Sequence, residues 1–349
     1  ARLNRQSFLI GNATMHTTGQ AFAMAFQAGG PHAQDRGLEA VAAAYAEMTR
    51  YAATARWEKP QGKAAPIVVE KKWTLRPAGI ALTIGCNTFP TWNSYPGLFA
   101  SLATGNPVIV KPHPRAVLPL ALTVRVLRDV LREAGLPADA VLLAVDEPGA
   151  EVTKALATRP EVKLIDYTGS SAFGDWLRNN ARQAQLFTEE TGVNSVVIAA
   201  TDDFDGMCAN LAFALALYSG QMCTSPQNIY IPAQGIATDK GHKSFDAVAA
   251  ALVAAIDGLL SDPVRAAGIC GAIANPATQT RVQAMAAKGR VLRAGASKAE
   301  AGPLLLAVAE ADAVAGEECF GPVAFVIAAQ DADAAIVQAA TLAMEKGAI

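Results

Sequence analysis

The sequence has almost no net charge, since 29 lysines and arginines offset 31 aspartates and glutamates to leave a formal charge of -2. Such a chain carries no basic field of the kind that holds nucleic-acid phosphates. It also contains no uninterrupted apolar run near the roughly 18 residues that span a bilayer, and no signal-like N-terminus. We therefore predict a cytoplasmic protein that binds small molecules and has neither a nucleic-acid partner nor a membrane partner.

Cysteine is scarce, and no two cysteines form a Cys-x-x-Cys pair. An odd number of widely separated cysteines argues against a disulfide framework and against a zinc site, so we predict a reducing compartment and no metal. The five are Cys86, Cys208, Cys223, Cys270 and Cys319.

The sequence also lacks a Gly-x-Gly-x-x-Gly fingerprint, which excludes a standard dinucleotide loop. Its 349 residues and 52% apolar content suit two domains, each with its own core. We place the boundary at the acidic turn 189–194. The predicted domains are 1–188, a helical segment with a cofactor-binding domain, and 189–349, a thiol-bearing domain.

Apolar patterning predicts irregular chain over 1–35, a helix over 34–57 and a strand over 67–73. Strand-like and helix-like stretches then alternate, which predicts an α/β fold: a Rossmann-type, mainly parallel sheet with helices on both faces, followed by a second α/β domain. The predicted strands are 80–84, 108–110, 141–145, 163–167, 195–200, 228–231 and 304–308. The predicted helices are 98–104, 118–134, 150–157, 173–182, 207–218 and 247–259.

Ligands of parallel sheets bind beyond the carboxyl ends of the strands, where three stretches lie: 85–90, 111–114 and 168–171. The last of these leads through Gly169 and Ser170 into a helix, so that free amides and the helix dipole suit a phosphate. An ordinary helix cap has the same sequence pattern. Lys111 ends its strand, where it either reaches a ribose or phosphate or is simply solvated.

Cys223 lies in a Gly-Gln-Met-Cys stretch between an apolar helical segment and a strand. A thiol on such a connector is partly exposed and held by backbone amides, and its thiolate attacks carbonyl carbon once the thiol pKa is lowered. The alternative is a cysteine that serves only as a small buried hydrophobe.

Six motifs, in this order, resemble the aldehyde dehydrogenase superfamily from about Lys72 to the end of the chain. They are Arg76-Pro77-Ala78-Gly79 followed by Asn87-Thr88-Phe89-Pro90, the stretch 105–112, Thr168-Gly169-Ser170, the acidic turn at Glu189, Gly220-Gln221-Met222-Cys223, and Glu317-Glu318-Cys319-Phe320-Gly321-Pro322. The stretches 87–92 and 110–114 resemble more narrowly the PaaN-like branch found in bacterial phenylacetate degradation.

The resemblance implies an enzyme that oxidises a small-molecule aldehyde with NAD or NADP. Cys223 would attack the aldehyde, Asn87 would help to hold the oxyanion, and Glu189 would activate the water that hydrolyses the resulting thioester. Cofactor contacts would come from Lys111, Gly169, Ser170, Glu318 and Phe320. The phenylacetate branch would imply a semialdehyde substrate, perhaps linked to coenzyme A, and family members form homo-oligomers.

Several positions depart from the family pattern. Asn87 lies one residue before the family's asparagine position, which Thr88 occupies. Counting back from Gly192 favours Glu189 over Glu190 as the residue that faces the thiol.

Pro114 replaces a glutamate that many NAD-using members carry. We therefore expect NADP to be accepted at least as well as NAD, through Arg115 and, if it is protonated, through His113. We also expect the chain, which stops at Ile349, to lack a C-terminal part that completes the catalytic domain.

Two other functions remain open at this level. Coenzyme A, rather than water, could accept the acyl group from the thioester. The chain could instead be a non-catalytic nucleotide-binding member of the fold, because fold alone does not decide function.

Overall fold

The computed structural model describes residues 1–147, 149–295, 302–309 and 313–348. The chain forms two compact units, one made of residues 1–10 and 27–189 and the other of residues 11–26 and 190–349. The segment 11–26, which the sequence interpretation placed in the first domain, thus groups with the second unit.

The N-terminal region is helical, so the prediction of irregular chain over 1–35 is wrong. Its helices are α1 (Arg2–Arg5), α2 (Ser7–Thr18), α3 (Phe22–Gly29) and α4 (Pro31–Met48). Proline suits the first helical position because its missing N–H has no intrahelical partner there. Gly30-Pro31 therefore starts α4 instead of ending a loop.

Helix α4 ends at Met48, well before the predicted end at 57, and the chain then forms an antiparallel pair of strands. These are β1 (Thr54–Gln61) and β2 (Ala64–Lys72), and the second confirms the strand predicted over 67–73. Every residue of both strands is exposed, including Trp57 and Ile67. We call residues 54–72 the exposed hairpin.

The first unit contains a five-stranded, wholly parallel sheet in the order β5-β4-β3-β6-β7. Its strands are β3 (Ile80–Ile84), β4 (Val108–Lys111), β5 (Val141–Leu143), β6 (Val162–Thr168) and β7 (Gln185–Glu189), and its helices are α5 (Pro90–Ala103), α6 (Val117–Glu133), α7 (Thr153–Ala157) and α8 (Ser171–Asn180). A short 3₁₀ turn spans Ala138–Ala140.

Side chains alternate across this sheet and form two separate cores. On one face, Ala81 and Leu164 pack with Tyr95 and Leu98 of α5. On the other face, Leu82 and Ile165 pack with residues of α8. Helix α5 begins at Pro90, eight residues before the prediction, because proline is again tolerated at its start.

The second unit contains another five-stranded sheet, in the order β12-β13-β14-β9-β8, parallel except for the antiparallel β12. Its strands are β8 (Ser195–Val197), β9 (Asn228–Pro232), β12 (Arg290–Arg293), β13 (Leu304–Val308) and β14 (Val323–Ala329). A small hairpin pairs β10 (Ile236–Thr238) with β11 (Gly241–Lys243).

The helices of this unit are α9 (Phe204–Ala216), α10 (Phe245–Leu259), α11 (Pro263–Cys270), α12 (Pro276–Met285) and α13 (Ala332–Lys346), with 3₁₀ turns at Leu217–Gly220 and Ala313–Gly316. Together the two units confirm the predicted α/β fold with mainly parallel sheets. Within the described residues, no single helix is long and apolar enough to cross a bilayer; α10 and α11, bent by 105°, satisfy length and composition only as a pair.

Candidate active site

The chain approaches Cys223 through a turn of unusual backbone conformation in the second unit. After α9 ends, Tyr218 (φ 49°) and Ser219 (φ 51°) adopt left-handed conformations, and Gly220 (φ 61°) continues the run. L-residues with a side chain lose about 1–2 kcal/mol there, because Cβ approaches a carbonyl oxygen. Such strain persists only where surrounding contacts impose it, and it concentrates at functional sites.

Hydrogen bonds from buried side chains hold this turn. The Tyr218 hydroxyl donates to the Thr18 carbonyl at 2.8 Å, and the Ser219 hydroxyl donates to the Cys270 carbonyl at 3.0 Å. Gly220 is required on two counts, since its φ is positive and a Cβ would lie 2.4 Å from the Gly321 oxygen.

The residues after Gly220 are fixed in the same way. Gln221 is buried, and its Nε2 donates to the carbonyls of Tyr218 at 3.1 Å and Ala272 at 3.2 Å. Asn194 Nδ2 donates to the Cys223 carbonyl at 2.6 Å. Cys223 itself is half-buried. Its thiol therefore belongs to a connector that is held on both sides and remains partly accessible.

The other four cysteines are poorly suited to nucleophilic attack. Burial raises the pKa of the Cys86, Cys208 and Cys270 thiols and raises that of Cys319 to about 11. A raised pKa reduces the thiolate fraction, and the thiolate is the reactive form.

The Glu318 segment of the second unit is tied to the start of β9. Gln227 Nε2 donates to the Glu317 carbonyl at 2.9 Å, while the Cys319 N–H donates to Gln227 Oε1 at 2.6 Å. Burial raises the pKa of the half-buried Glu318 carboxyl, although a hydrogen bond from the Gly192 N–H opposes this. Phe320 is also half-buried. Sequence analysis missed Gln227 because nothing local marks a residue that anchors a segment 90 positions away.

In the first unit, Lys111 ends β4 with its side chain buried, so it is not the solvated lysine considered above. Its Nζ forms an ion pair with Asp146, which also accepts hydrogen bonds from the Val152 N–H at 2.9 Å and the Thr153 hydroxyl at 3.0 Å. Burial alone would raise the pKa of Asp146, but these donors hold it below its usual value.

His113, two residues after Lys111, is not protonated at neutral pH. Burial, together with Lys111 and Arg115, lowers the pKa of His113 to about 4, so its imidazole is neutral at pH 7. The Arg115 N–H donates to His113 Nδ1 at 3.2 Å. The condition on which His113 was expected to attract a phosphate is therefore not met at pH 7, and the exposed Arg115 remains as the candidate cation.

Gly169 and Ser170 connect β6 to α8. A Cβ at Gly169 would lie 2.4 Å from the Tyr167 hydroxyl, which explains the glycine. Ser170 occupies the N-cap position with its side chain exposed and makes no side-chain cap hydrogen bond. The start of α8, where the helix dipole is positive, thus lies directly after this turn and has the polarity that suits a phosphate.

Asn87 lies in the loop after β3, half-buried, next to the buried Thr88. Its Oδ1 atom is buried and finds no hydrogen-bond partner among the described residues. The oxyanion role of Asn87 stays a prediction.

Glu189 ends β7, beside Thr168 of β6, and its backbone carbonyl accepts a 3.0 Å hydrogen bond from the Gly169 N–H. Two predicted site residues thus meet at this sheet edge. The Glu189 carboxylate accepts a 3.0 Å hydrogen bond from Asn93 Nδ2. Asn93 was missed because its place on α5 follows only once the helix is known to begin at Pro90.

A family model, "Aldehyde dehydrogenase family", matches residues 16–344. The chain belongs to the aldehyde dehydrogenase family. This confirms the resemblance at the level of the family.

Among solved structures, an NAD-dependent aldehyde dehydrogenase from Burkholderia multivorans is 53% identical with a TM-score of 0.97, and the match covers 100% of this chain and 64% of that one. N-succinylglutamate 5-semialdehyde dehydrogenase of Burkholderia mallei is 29% identical over 278 residues, which are 76% of this chain and 54% of that relative. The chain therefore spans between about half and two thirds of these relatives' lengths.

An NADP-dependent glyceraldehyde-3-phosphate dehydrogenase from Bacillus halodurans shares the aldehyde dehydrogenase fold, with a TM-score of 0.71 at 23% identity, covering 96% of this chain and 68% of that one.

Proposed function

We propose that the chain is the cofactor- and thiol-bearing part of an NAD(P)-dependent aldehyde dehydrogenase in which Cys223 forms the covalent intermediate. The observation that carries this proposal is the turn 218–223, in which two strained residues and several side-chain hydrogen bonds fix the backbone at a partly accessible thiol. Membership of the family and the 53% identity to an NAD-dependent aldehyde dehydrogenase support it.

The proposed reaction begins when the Cys223 thiolate adds to the aldehyde carbon. The carbonyl oxygen becomes an oxyanion, which the Cys223 N–H and the Asn87 amide stabilise; preorganised donors of this kind contribute roughly 3–4 kcal/mol each. A nicotinamide held by the residues named below would, when bound, accept the hydride whose loss turns the Cys223 adduct into a thioester.

Hydrolysis then releases the acid. Glu189 takes a proton from water, the water oxygen bonds to the thioester carbon, and the carbon–sulfur bond breaks to regenerate the Cys223 thiolate. The hydrogen bond from Asn93 orients the Glu189 carboxylate for this step.

The residues of the proposed cofactor site fit a dinucleotide. The exposed Ser170 hydroxyl and the positive end of the α8 dipole suit a phosphate. Lys111 offers a buried cation already held by Asp146. Glu318 and Phe320 are half-buried, and we assign them to the nicotinamide half of the cofactor. We propose that NADP is accepted about as well as NAD, because Pro114 removes the carboxylate that would repel a 2′-phosphate and Arg115 is exposed.

For the substrate we propose a semialdehyde, as in the named reaction of the Burkholderia mallei relative. The resemblance of residues 87–92 and 110–114 to the phenylacetate branch makes a semialdehyde from aromatic catabolism the first to test. The Asn93–Glu189 contact favours water over coenzyme A as the acyl acceptor, since it prepares a base.

We further propose that the protein forms a homo-oligomer through the exposed hairpin. Its two strands carry Trp57, Ile67 and Val68 exposed, and neither strand is buried by the rest of the described chain. An isolated two-stranded sheet is marginal in water, so a covering partner would stabilise it.

The test is cofactor reduction by the intact protein with aliphatic, aromatic and coenzyme A-linked aldehydes. We expect reduced cofactor with at least one semialdehyde and none with Cys223→Ala, while Cys208→Ala, a change at a buried thiol, remains active. Cofactor binding without reduction for any aldehyde would support the non-catalytic alternative. Acyl-coenzyme A as the product would replace hydrolysis by acyl transfer.

A further inference from the structure

Asp166 lies within β6, and the sheet register places it on the same face as Glu189. Asp166 pairs with Phe187, and Thr168 pairs with Glu189, across the parallel strands β6 and β7. Because side chains alternate along strands, the side chains of residues 166, 168, 187 and 189 share one face. A strand spacing of about 4.8 Å and a rise of ~3.3 Å per residue separate Asp166 and Glu189 by roughly 8 Å at the backbone.

Helix α5 covers both carboxyls with residues one turn apart. Asn93 Nδ2 donates to Glu189 Oε2 at 3.0 Å. At Gly97 a Cβ would lie 2.1 Å from Asp166 Oδ2, so only glycine admits the Asp166 carboxyl to the helix surface. The same helix face therefore accommodates one acid and orients the other.

The strongest influences on Asp166 favour its neutral form over its ionised form. Burial and the negative charge of Glu189 raise the pKa of Asp166 to about 7, while Arg36 on α4 acts in the opposite direction. Helix α5 carries no charged side chain, and the strand neighbour of Asp166 on β3 is Thr83. Cys86 also faces the charge of Glu189. Beside Arg36, the charged or titratable residues that line the neighbouring groove are His32, Asp35 and Glu39.

We propose that Asp166 is a positioning residue for Glu189: its negative charge, when present, favours transfer of the proton from the hydrolytic water to the Glu189 carboxylate. This inference rests on the proposed function, in which Glu189 serves as that base. A negative charge disfavours another one nearby, and proton transfer to Glu189 relieves that repulsion.

The sign follows from the raised pKa. Below pH about 7, Asp166 is neutral and adds no negative charge near Glu189; above it, Asp166 is ionised and its charge favours proton transfer to Glu189. Hydrolysis of the thioester should therefore accelerate as the pH rises through about 7.

The experiment follows the lifetime of the acyl group on Cys223 by quenched mass spectrometry, across pH, in the intact protein. Asp166→Asn retains the shape that fits against Gly97 but removes the charge. We expect hydrolysis at about pH 8 to slow roughly threefold to tenfold and its ascending limb to move down by at least about one pH unit. Formation of the acyl group should change less than about twofold.

Glu161→Gln, which removes an exposed carboxylate before the same strand, is the matched control and should leave the profile unchanged. In a Glu189→Gln background, Asp166→Asn should have no further effect on the limb, which separates coupling from a merely structural role. If Asp166→Asn fails to fold, as judged by thermal unfolding, Asp166→Ser provides the same charge removal.

The inference is overturned if a folded variant without the Asp166 charge hydrolyses the thioester with the same pH dependence as the unsubstituted protein, provided that Glu189→Gln alone slows hydrolysis. If Glu189→Gln leaves hydrolysis unchanged, the proposed function of Glu189 fails first, and the inference about Asp166 fails with it.

Discussion

The two units prepare their chemistry in different ways. In the second unit, Cys223 sits on a turn fixed by left-handed backbone and by side-chain hydrogen bonds to carbonyl groups. In the first unit, Glu189 and Asp166 are placed by strand register and by one face of α5. The thiol site depends on backbone shape, whereas the carboxyl site depends on charge. We therefore expect steric changes to impair the thiol site. Changes of pH, or removal of a charge, should impair the carboxyl site.

The largest effect should come from Cys223→Ala, which removes the nucleophile and should lower turnover by at least about 10³-fold. Brief treatment with dilute iodoacetamide, followed by mass spectrometry, should label Cys223 first, because burial raises the pKa of the other four thiols. Preferential labelling of Cys86 or Cys319 would contradict the assignment of Cys223 as the nucleophile.

Next, Glu189→Gln should slow thioester hydrolysis by roughly 10²-fold and leave the first burst of cofactor reduction nearly intact, because the base acts only after hydride transfer. Rapid-mixing measurements of burst and steady state separate the two phases. Glu190→Gln is the matched control, and a loss confined to that variant would transfer the role to Glu190.

A steric change at the thiol turn should cost stability as well. Gly220→Ala combines a positive φ with a Cβ 2.4 Å from a carbonyl oxygen, and we expect it to lower the free energy of unfolding by about 2–4 kcal/mol. Gly241→Ala is the control, since φ is also positive there but nothing lies within 4 Å. Urea unfolding should show a loss of only about 1 kcal/mol for the control. Equal losses would mean that crowding at Gly220 contributes nothing.

The smallest effect concerns the cofactor. Arg115→Ala should lower kcat/KM for NADP by roughly threefold to tenfold and leave that for NAD unchanged, since only NADP offers a 2′-phosphate to the guanidinium. His113→Ala removes no positive charge at pH 7, because the imidazole is neutral there, so it should not shift kcat/KM for NADP relative to that for NAD. A clear preference for NAD that Arg115→Ala does not alter would contradict this reading of the loop.

The sequence could predict features that depend on contiguous residues, but not those that depend on residues distant in the chain. Strands Ile80–Ile84 and Leu304–Val308 were predicted with the observed ends, because each is a short apolar run between turn residues. The Cys223 turn was likewise predicted from contiguous residues. Asn93, Asp166 and the charge state of His113 were not predicted, because each depends on a helix face, a strand register or burial that brings distant residues together.

The exposed hairpin has a consequence for exchange of backbone hydrogens with solvent. Its two strands pair with each other, and every residue in them is exposed, so opening the pair costs little beyond the hydrogen bonds between them. Amides over 54–72 should therefore exchange orders of magnitude faster in a dilute, unassociated chain than amides of the parallel sheets. Association through this hairpin would slow exchange of these amides in proportion to the fraction of chains that are associated. The exchange rate over 54–72 would therefore depend on protein concentration.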